Sequence, residues 1–216
     1  MKKLDAKKIF GNSSNNCEFL FGAHTYAQIP QSLEPEIAFI GASNVGKSSL
    51  INAIVGKKIA IVSNTPGRTR QLNFFKISSG FTQSFSQGFV LVDMPGYGFA
   101  KAKEKHIEHW QKTALEYLAK RRNLQRLYLL IDPIKGLKES DYDMINTLNA
   151  VAVSFQIVLT KTDKLKLDEI KKAQAMIEKE IAKAPAAHPQ IILTSSANNN
   201  GIKEIQDSIV EVLQNL

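Results

Sequence analysis

The chain holds one cysteine, Cys17, among 216 residues, so no internal disulfide can form and a reducing, cytoplasmic location is expected. An inert, partly buried thiol suits Cys17 better than a nucleophile. No apolar run approaches the ~18 residues of a membrane span, so no membrane insertion is expected. The basic start, Met1 to Lys8, is not followed by an apolar core and a cleavage site, and is not read as a signal peptide. There is one tryptophan, Trp110, beside His106 and His109. That histidine pair has no cysteine or carboxylate cluster around it, so it reads as a helix face. No zinc spacing and no Ser/His/Asp arrangement is visible. Acidic residues are missing altogether from Lys57 to Lys76, which carries five basic ones. From Lys101 to Arg126 there are eight basic and three acidic residues. These two stretches together carry more than the whole net charge of +8 and point to a polyanionic partner.

What is there is one domain's worth of alternating strands and helices. Residues 1–16 lack periodicity and end in Gly11-Asn12-Ser13-Ser14-Asn15-Asn16, which reads as a flexible tail before a single domain over 17–216. Apolar strand patterns fall at Ile37–Ile40, Asn73–Ile77, Gly88–Asp93, Arg126–Asp132, Phe155–Thr160 and Ile191–Thr194, with Glu18–Phe21 a further short candidate. Helical patterns cover Ser49–Val55, Glu104–Lys120, Asp141–Ala150, Leu167–Lys183 and Gly201–Leu216. The modest polar loop 78–87 joins its flanking strands as an antiparallel pair. The rest alternate β with α. The expected fold is therefore α/β, a mostly parallel six-stranded sheet with one antiparallel strand and helices on both faces. Ligands in such sheets sit at the carboxyl ends of the strands.

The candidate functional segments all follow strand ends. Gly41-Ala42-Ser43-Asn44-Val45-Gly46-Lys47-Ser48 reads G-x-x-x-x-G-K-[ST] between a strand and a helix. Its backbone N–H groups can cradle phosphates, Lys47 can reach the β- and γ-phosphates, and the Ser48 hydroxyl can ligate Mg²⁺. Asp93-Met94-Pro95-Gly96 is a D-x-x-G turn, where Asp93 can hold Mg²⁺ through water and the Gly96 N–H can touch a γ-phosphate. Thr160-Lys161-Thr162-Asp163 resembles the N-K-x-D guanine box. A carboxylate two residues past the lysine accepts from guanine N1–H and its 2-amino group, donors that adenine does not offer in that arrangement. Small residues in Thr194-Ser195-Ser196 would let a backbone N–H reach guanine O6. Thr65 and Thr69 both qualify chemically as a further Mg²⁺ ligand.

The order of these pieces is that of a GTPase. Ile37 to Asn52, Pro66-Gly67-Arg68-Thr69 followed by Asn73-Phe74-Phe75, and Asp93-Met94-Pro95-Gly96-Tyr97-Gly98 together resemble the EngB/YsxC/YihA family of bacterial GTP-binding proteins. The resemblance runs from about Glu18 to the C-terminus. It implies a P-loop NTPase G domain, GTP and GDP as ligands, Mg²⁺, and a monomer. It favours Thr69 as the Mg²⁺ ligand and adds Gly67, Arg68, Arg70 and Gln71 to the nucleotide-contacting loop. It also implies work on the large ribosomal subunit or its precursor, with an association with cell division and septation. Two positions depart from the family's pattern: Ala42 stands where arginine is usual, and Arg70 where glutamine is. Tyr97 occupies the place just after D-x-x-G where many GTPases have a glutamine that orients water. Slow intrinsic turnover is expected, with Lys47 and Thr69 at the reacting phosphate. Asn44 sits where similar potassium-activated GTPases have an asparagine, so K⁺ is a candidate cofactor. The alternatives are a division-site GTPase with protein partners only, and a P-loop ATPase or small-molecule kinase.

Overall fold

The computed structural model describes residues 6–11, 17–32, 34–61, 71–78, 88–98 and 104–216, without the side chains of residue 8 and residues 104–111. In chain order the elements are α1 (Ala6–Phe10), β1 (Cys17–Ala23), β2 (Glu36–Gly41), α2 (Lys47–Val55), β3 (Leu72–Ile77), β4 (Phe89–Asp93) and α3 (Glu104–Lys120). There follow β5 (Leu124–Ile131), α4 (Glu139–Ala150), β6 (Phe155–Leu159), α5 (Leu167–Ile181), β7 (Ile192–Leu193) and α6 (Ile202–Gln214). Single 3-10 turns lie at Tyr26–Gln28 and Thr162–Lys164.

Among the described residues the sheet has seven strands in the order β1-β3-β4-β2-β5-β6-β7, which corrects the expected six. The added strand is β1, the short candidate at Glu18–Phe21 extended to Cys17–Ala23. Its exposed Phe19 and Leu20 blur the alternation that a one-faced strand shows, and a bulge between Phe19 and Phe21 interrupts its register. Among the described strands only β3 runs against the others, because it pairs antiparallel with both β1 and β4 while the remaining pairs are parallel.

β2 explains the layering. All six of its residues are buried, and a strand covered on both faces needs apolar side chains on both. Ile37 and Phe39 face one core with α1, α2 and α6, and Ala38 and Ile40 face the other with α3, α4 and α5. After β2 the chain builds outward on one side through β3 and β4, then crosses to β5 on the other. β2 therefore lies at the point where the strand order reverses, and the loop after it opens into the crevice there.

The expected tail is corrected over residues 6–10. They form α1, whose Ala6, Ile9 and Phe10 are buried against the α2–α6 face, with Phe10 edge-on to Phe89 at 6.2 Å. Five residues are too few to show a helical period, and a helix this short exists by packing rather than propensity.

Candidate functional site

The phosphate-loop residues Gly41 to Ser48 form a tight turn from β2 into α2. Asn44 and Gly46 adopt positive φ, 64° and 107°. At Gly41 a side chain is barred outright, since a Cβ would lie 2.8 Å from the Leu130 carbonyl and 2.9 Å from Val45. Ala42, Ser43, Asn44 and Val45 follow in that turn, and Val45 is buried, so the loop is anchored by its own side chain. Lys47, only 8% exposed, begins α2 and its ammonium is hydrogen-bonded to the Asp93 carboxylate, itself 2% exposed. The end of β4 is thereby held against the start of α2, next to Ser48.

The Asp93-Met94-Pro95-Gly96 turn is strapped to the phosphate loop by backbone. Met94 N–H donates to the Phe39 carbonyl (3.0 Å), Tyr97 N–H to the Gly41 carbonyl (3.2 Å), and Ser43 N–H to the Tyr97 carbonyl (3.1 Å). Gly96 comes so near that a Cβ would meet the Gly41 oxygen at 3.1 Å and the Ser43 nitrogen at 3.3 Å. The Met94 side chain turns into the core, which leaves only its backbone at the turn's surface.

Thr160, Lys161, Thr162 and Asp163 close the opposite wall. Thr160 Oγ1 donates to the Val45 carbonyl at 2.7 Å, which ties the box to the phosphate loop. Lys161 takes positive φ, 55°, and its Nζ reaches both the Asn44 carbonyl and Asp132 Oδ2 at 2.8 Å. Thr162 donates by its N–H (3.2 Å) and Oγ1 (3.1 Å) to the Thr194 carbonyl, and Ser195 Oγ donates to Asp163 Oδ1 at 2.6 Å. Thr194 and Ser195 are buried and Ser196 half-buried in the loop after β7. Asp163 is exposed at the rim.

Two acidic residues that the motifs do not contain belong to this site. Asp132, 7% exposed, uses Oδ2 for Lys161 and Oδ1 for the Ile134 N–H at 3.1 Å. Its signal in the sequence is a carboxylate ending an apolar strand just before Pro133. Asp141, 3% exposed, accepts the Tyr97 hydroxyl at 2.7 Å and the Lys138 N–H at 2.8 Å. Burial, reinforced by Asp141, pushes the Tyr97 phenol well above its ordinary value. The Tyr97 side chain is therefore a neutral donor turned toward α4.

Gln71 donates to Asn73 at 2.9 Å and lies over Gly22 of β1, so its described contacts are with the edge of the sheet. Thr65, Gly67, Arg68, Thr69 and Arg70 lie outside the described residues, as do the side chains of His106, His109 and Trp110. Among the described residues no helix is long and apolar enough to cross a membrane.

A phosphate loop at the switch point of a mostly parallel sheet, with a D-x-x-G turn and a Lys-x-Asp box bonded to it, defines a P-loop GTPase. Residues 36–161 match the family model described as "50S ribosome-binding GTPase". The probable GTP-binding protein EngB of Chelativorans sp. is 45% identical over 198 residues, covering 90% of this chain and 88% of that one. Its counterpart from Bartonella tribocorum is 44% identical over 206 residues, covering 94% and 96%. The chain belongs to the EngB family of GTP-binding proteins, and it is a GTPase. Crystal structures of other GTP-binding proteins share its fold. A probable GTP-binding protein EngB has a TM-score of 0.63 at 22% identity, covering 84% of this chain and all of that one. Era of Aquifex aeolicus bound to GDP and aluminium fluoride has a TM-score of 0.68 at 21% identity, covering 82% and 56%.

Proposed function

We propose that this GTPase is a slow GTP-driven switch acting in assembly of the large ribosomal subunit, with normal cell division and septation depending on that role. The observation that carries the nucleotide half is the double tie of the Thr160–Asp163 box to the phosphate loop, through Thr160 to Val45 and Lys161 to Asn44. It sets a base site and a phosphate site at one fixed spacing. Guanine lies along the Lys161 stem, Asp163 accepts its N1–H and 2-amino group, and the Thr194–Ser196 loop donates to O6. The N–H groups of residues 41–48 surround the phosphates, and Lys47 exchanges part of its contact with Asp93 for the β- and γ-phosphates. Gly67, Arg68, Thr69, Arg70 and Gln71 are further proposed nucleotide contacts.

The donor set suits Mg²⁺. Ser48 and Asp93 are hard oxygen donors beside a buried ammonium, and Mg²⁺ takes few protein ligands, keeping water and phosphate oxygens for the rest. Ser48 and Thr69 would hold it directly and Asp93 through water; bound there, the ion neutralises phosphate charge. Turnover is slow because the residue after Gly96 commits its hydroxyl to Asp141 and supplies no amide to the attacking water. In this reading Asn44 holds K⁺ near the β- and γ-phosphates, where a cation stands in for an arginine finger.

A ribosomal partner is supported by the family model's description and by the charge of 57–76 and 101–126. The chain, loaded with GDP or a non-hydrolysable GTP analogue, is sedimented with large ribosomal subunits at rising salt. GTP-dependent, salt-sensitive co-sedimentation is expected; with hydrolysable GTP, assayed in K⁺ or Na⁺ and with or without subunits, turnover should be faster in K⁺ than in Na⁺ and faster again with subunits. Binding only with GDP, or none, overturns the ribosomal role; equal turnover in all four conditions overturns activation by K⁺ and by the partner.

A further inference from the structure

We infer that Tyr97 is a positioning residue for γ-phosphate recognition: its hydrogen bond to Asp141 latches the D-x-x-G turn to α4 and thereby presets the Gly96 N–H against the phosphate loop. The inference rests on the reading that this N–H meets the γ-phosphate.

The turn needs such a fastening. Met94 to Gly96 interrupt the pairing of β4 with β2, and pairing resumes in one isolated bridge, Ala42 to Tyr97. That bridge consists of the Tyr97–Gly41 and Ser43–Tyr97 backbone bonds. One of its donors, the Ser43 N–H, belongs to the loop whose N–H groups an anion attracts, so nucleotide competes with the bridge. A backbone bridge of two bonds is a weak clamp under that competition.

The side chain supplies a second clamp from a different element. Tyr97 is 4% exposed, and its hydroxyl donates at 2.7 Å to Asp141. Asp141 is held in turn in the first turn of α4, where its other oxygen accepts the Lys138 N–H. The next residue follows the same path. Gly98 takes a φ of 76°, and a Cβ there would touch Ser140 Oγ at 3.1 Å. Tyr97 and Gly98 therefore both rest on residues 138–141. The turn is pinned on one side to the phosphate loop and on the other to α4, and Gly96 lies just before the double anchor. The tyrosine at this position takes the place of a water-orienting side chain and does a different task.

The test is equilibrium binding of GDP and of a non-hydrolysable GTP analogue to full-length protein in Mg²⁺. Tyr97→Phe keeps the ring and removes the hydroxyl. It is expected to weaken the analogue about fivefold to twentyfold and to leave GDP within about twofold. Asp141→Ala also uncaps α4, but adding Tyr97→Phe to it should cause no further loss for the analogue. Equal weakening of both ligands by Tyr97→Phe, or no weakening of either, overturns the latch. Gly96→Ala separates this from the reading beneath it. If Gly96→Ala spares the analogue relative to GDP, the γ-phosphate reading falls and the latch with it. If Gly96→Ala selectively loses the analogue and Tyr97→Phe does not, only the latch falls.

Discussion

The two ends of the sheet both bury charge, and they do so in opposite ways. At the amino end, Glu36 of β2 is 1% exposed and fully engaged. Its Oε1 accepts from Arg121 Nε (2.9 Å) and Nη2 (2.5 Å), and its Oε2 accepts from the Tyr117 hydroxyl (2.8 Å). Arg121 also donates to the Pro30 carbonyl at 2.9 Å. Burial, together with Glu36, holds the Tyr117 phenol well above its usual range, so it remains a donor. At the carboxyl end, Lys47 meets Asp93 with one of the three N–H donors of an ammonium. Lys161 is shared between Asp132 and the Asn44 carbonyl and remains 27% exposed. The amino-end cluster spends its bonds on the protein and fastens α3 to β2. The carboxyl-end charges keep capacity for a ligand.

Three substitutions break or sharpen that contrast, in falling order of effect. Asp163→Asn should lower GTP affinity about a hundredfold to a thousandfold, since two charge-assisted hydrogen bonds to guanine are lost or reversed. It should gain xanthosine triphosphate binding and leave thermal unfolding nearly unchanged. Unchanged GTP binding by titration calorimetry would remove guanine recognition from this residue.

Arg121→Ala should do the reverse. It leaves Glu36 buried with only the tyrosine, at a cost of about 3 kcal/mol in stability. For a domain of this size that is roughly 6–12 °C in Tm. The ratio of GTP to GDP affinity should not move, and a shifted ratio would mean that the amino end is not a passive anchor. Thr160→Val keeps the shape and deletes the bond to the Val45 carbonyl. A loss of about 1 kcal/mol, near fivefold, is expected equally for GDP and GTP, because the tie sets base-to-phosphate spacing and does not read the γ-phosphate. A selective loss of GTP in fluorescent-nucleotide binding would contradict that.

The order of strands and helices and the strand-end loops were legible because they rest on local patterns. The short run Ile37–Ile40 is apolar throughout and Phe155–Leu159 is apolar but for Gln156, which suits strands covered on both faces. Gly41 to Ser48, Asp93 to Gly96 and Thr160 to Asp163 are short motifs whose chemistry is contained in their spacing. The seventh strand, β1, was half hidden by its exposed phenylalanine and leucine. Helix α1 was hidden by its length. Asp132 and Asp141 carry no motif at all. Each reads as an ordinary strand end or first-turn carboxylate until the fold brings it to Lys161 or Tyr97, 29 and 44 residues away.

The same division holds for the substitution after D-x-x-G. Sequence alone shows that a glutamine is missing and that Tyr97 stands there. It is silent on where the hydroxyl goes, since that depends on the crossing from β4 to α4.

By itself, then, the sequence determined the class of fold and the places of its G-x-x-x-x-G-K-S, D-x-x-G and Lys-x-Asp motifs, because backbone freedom, helix starts and residue spacing are properties of a few adjacent residues. Only the tertiary structure decided how these pieces are held. The Thr160 tie, the Lys161–Asp132 pair, the Tyr97–Asp141 bond and the Glu36–Arg121–Tyr117 cluster each join residues 29 to 115 positions apart. Partners that distant are chosen by strand order and helix packing, and no local pattern encodes them.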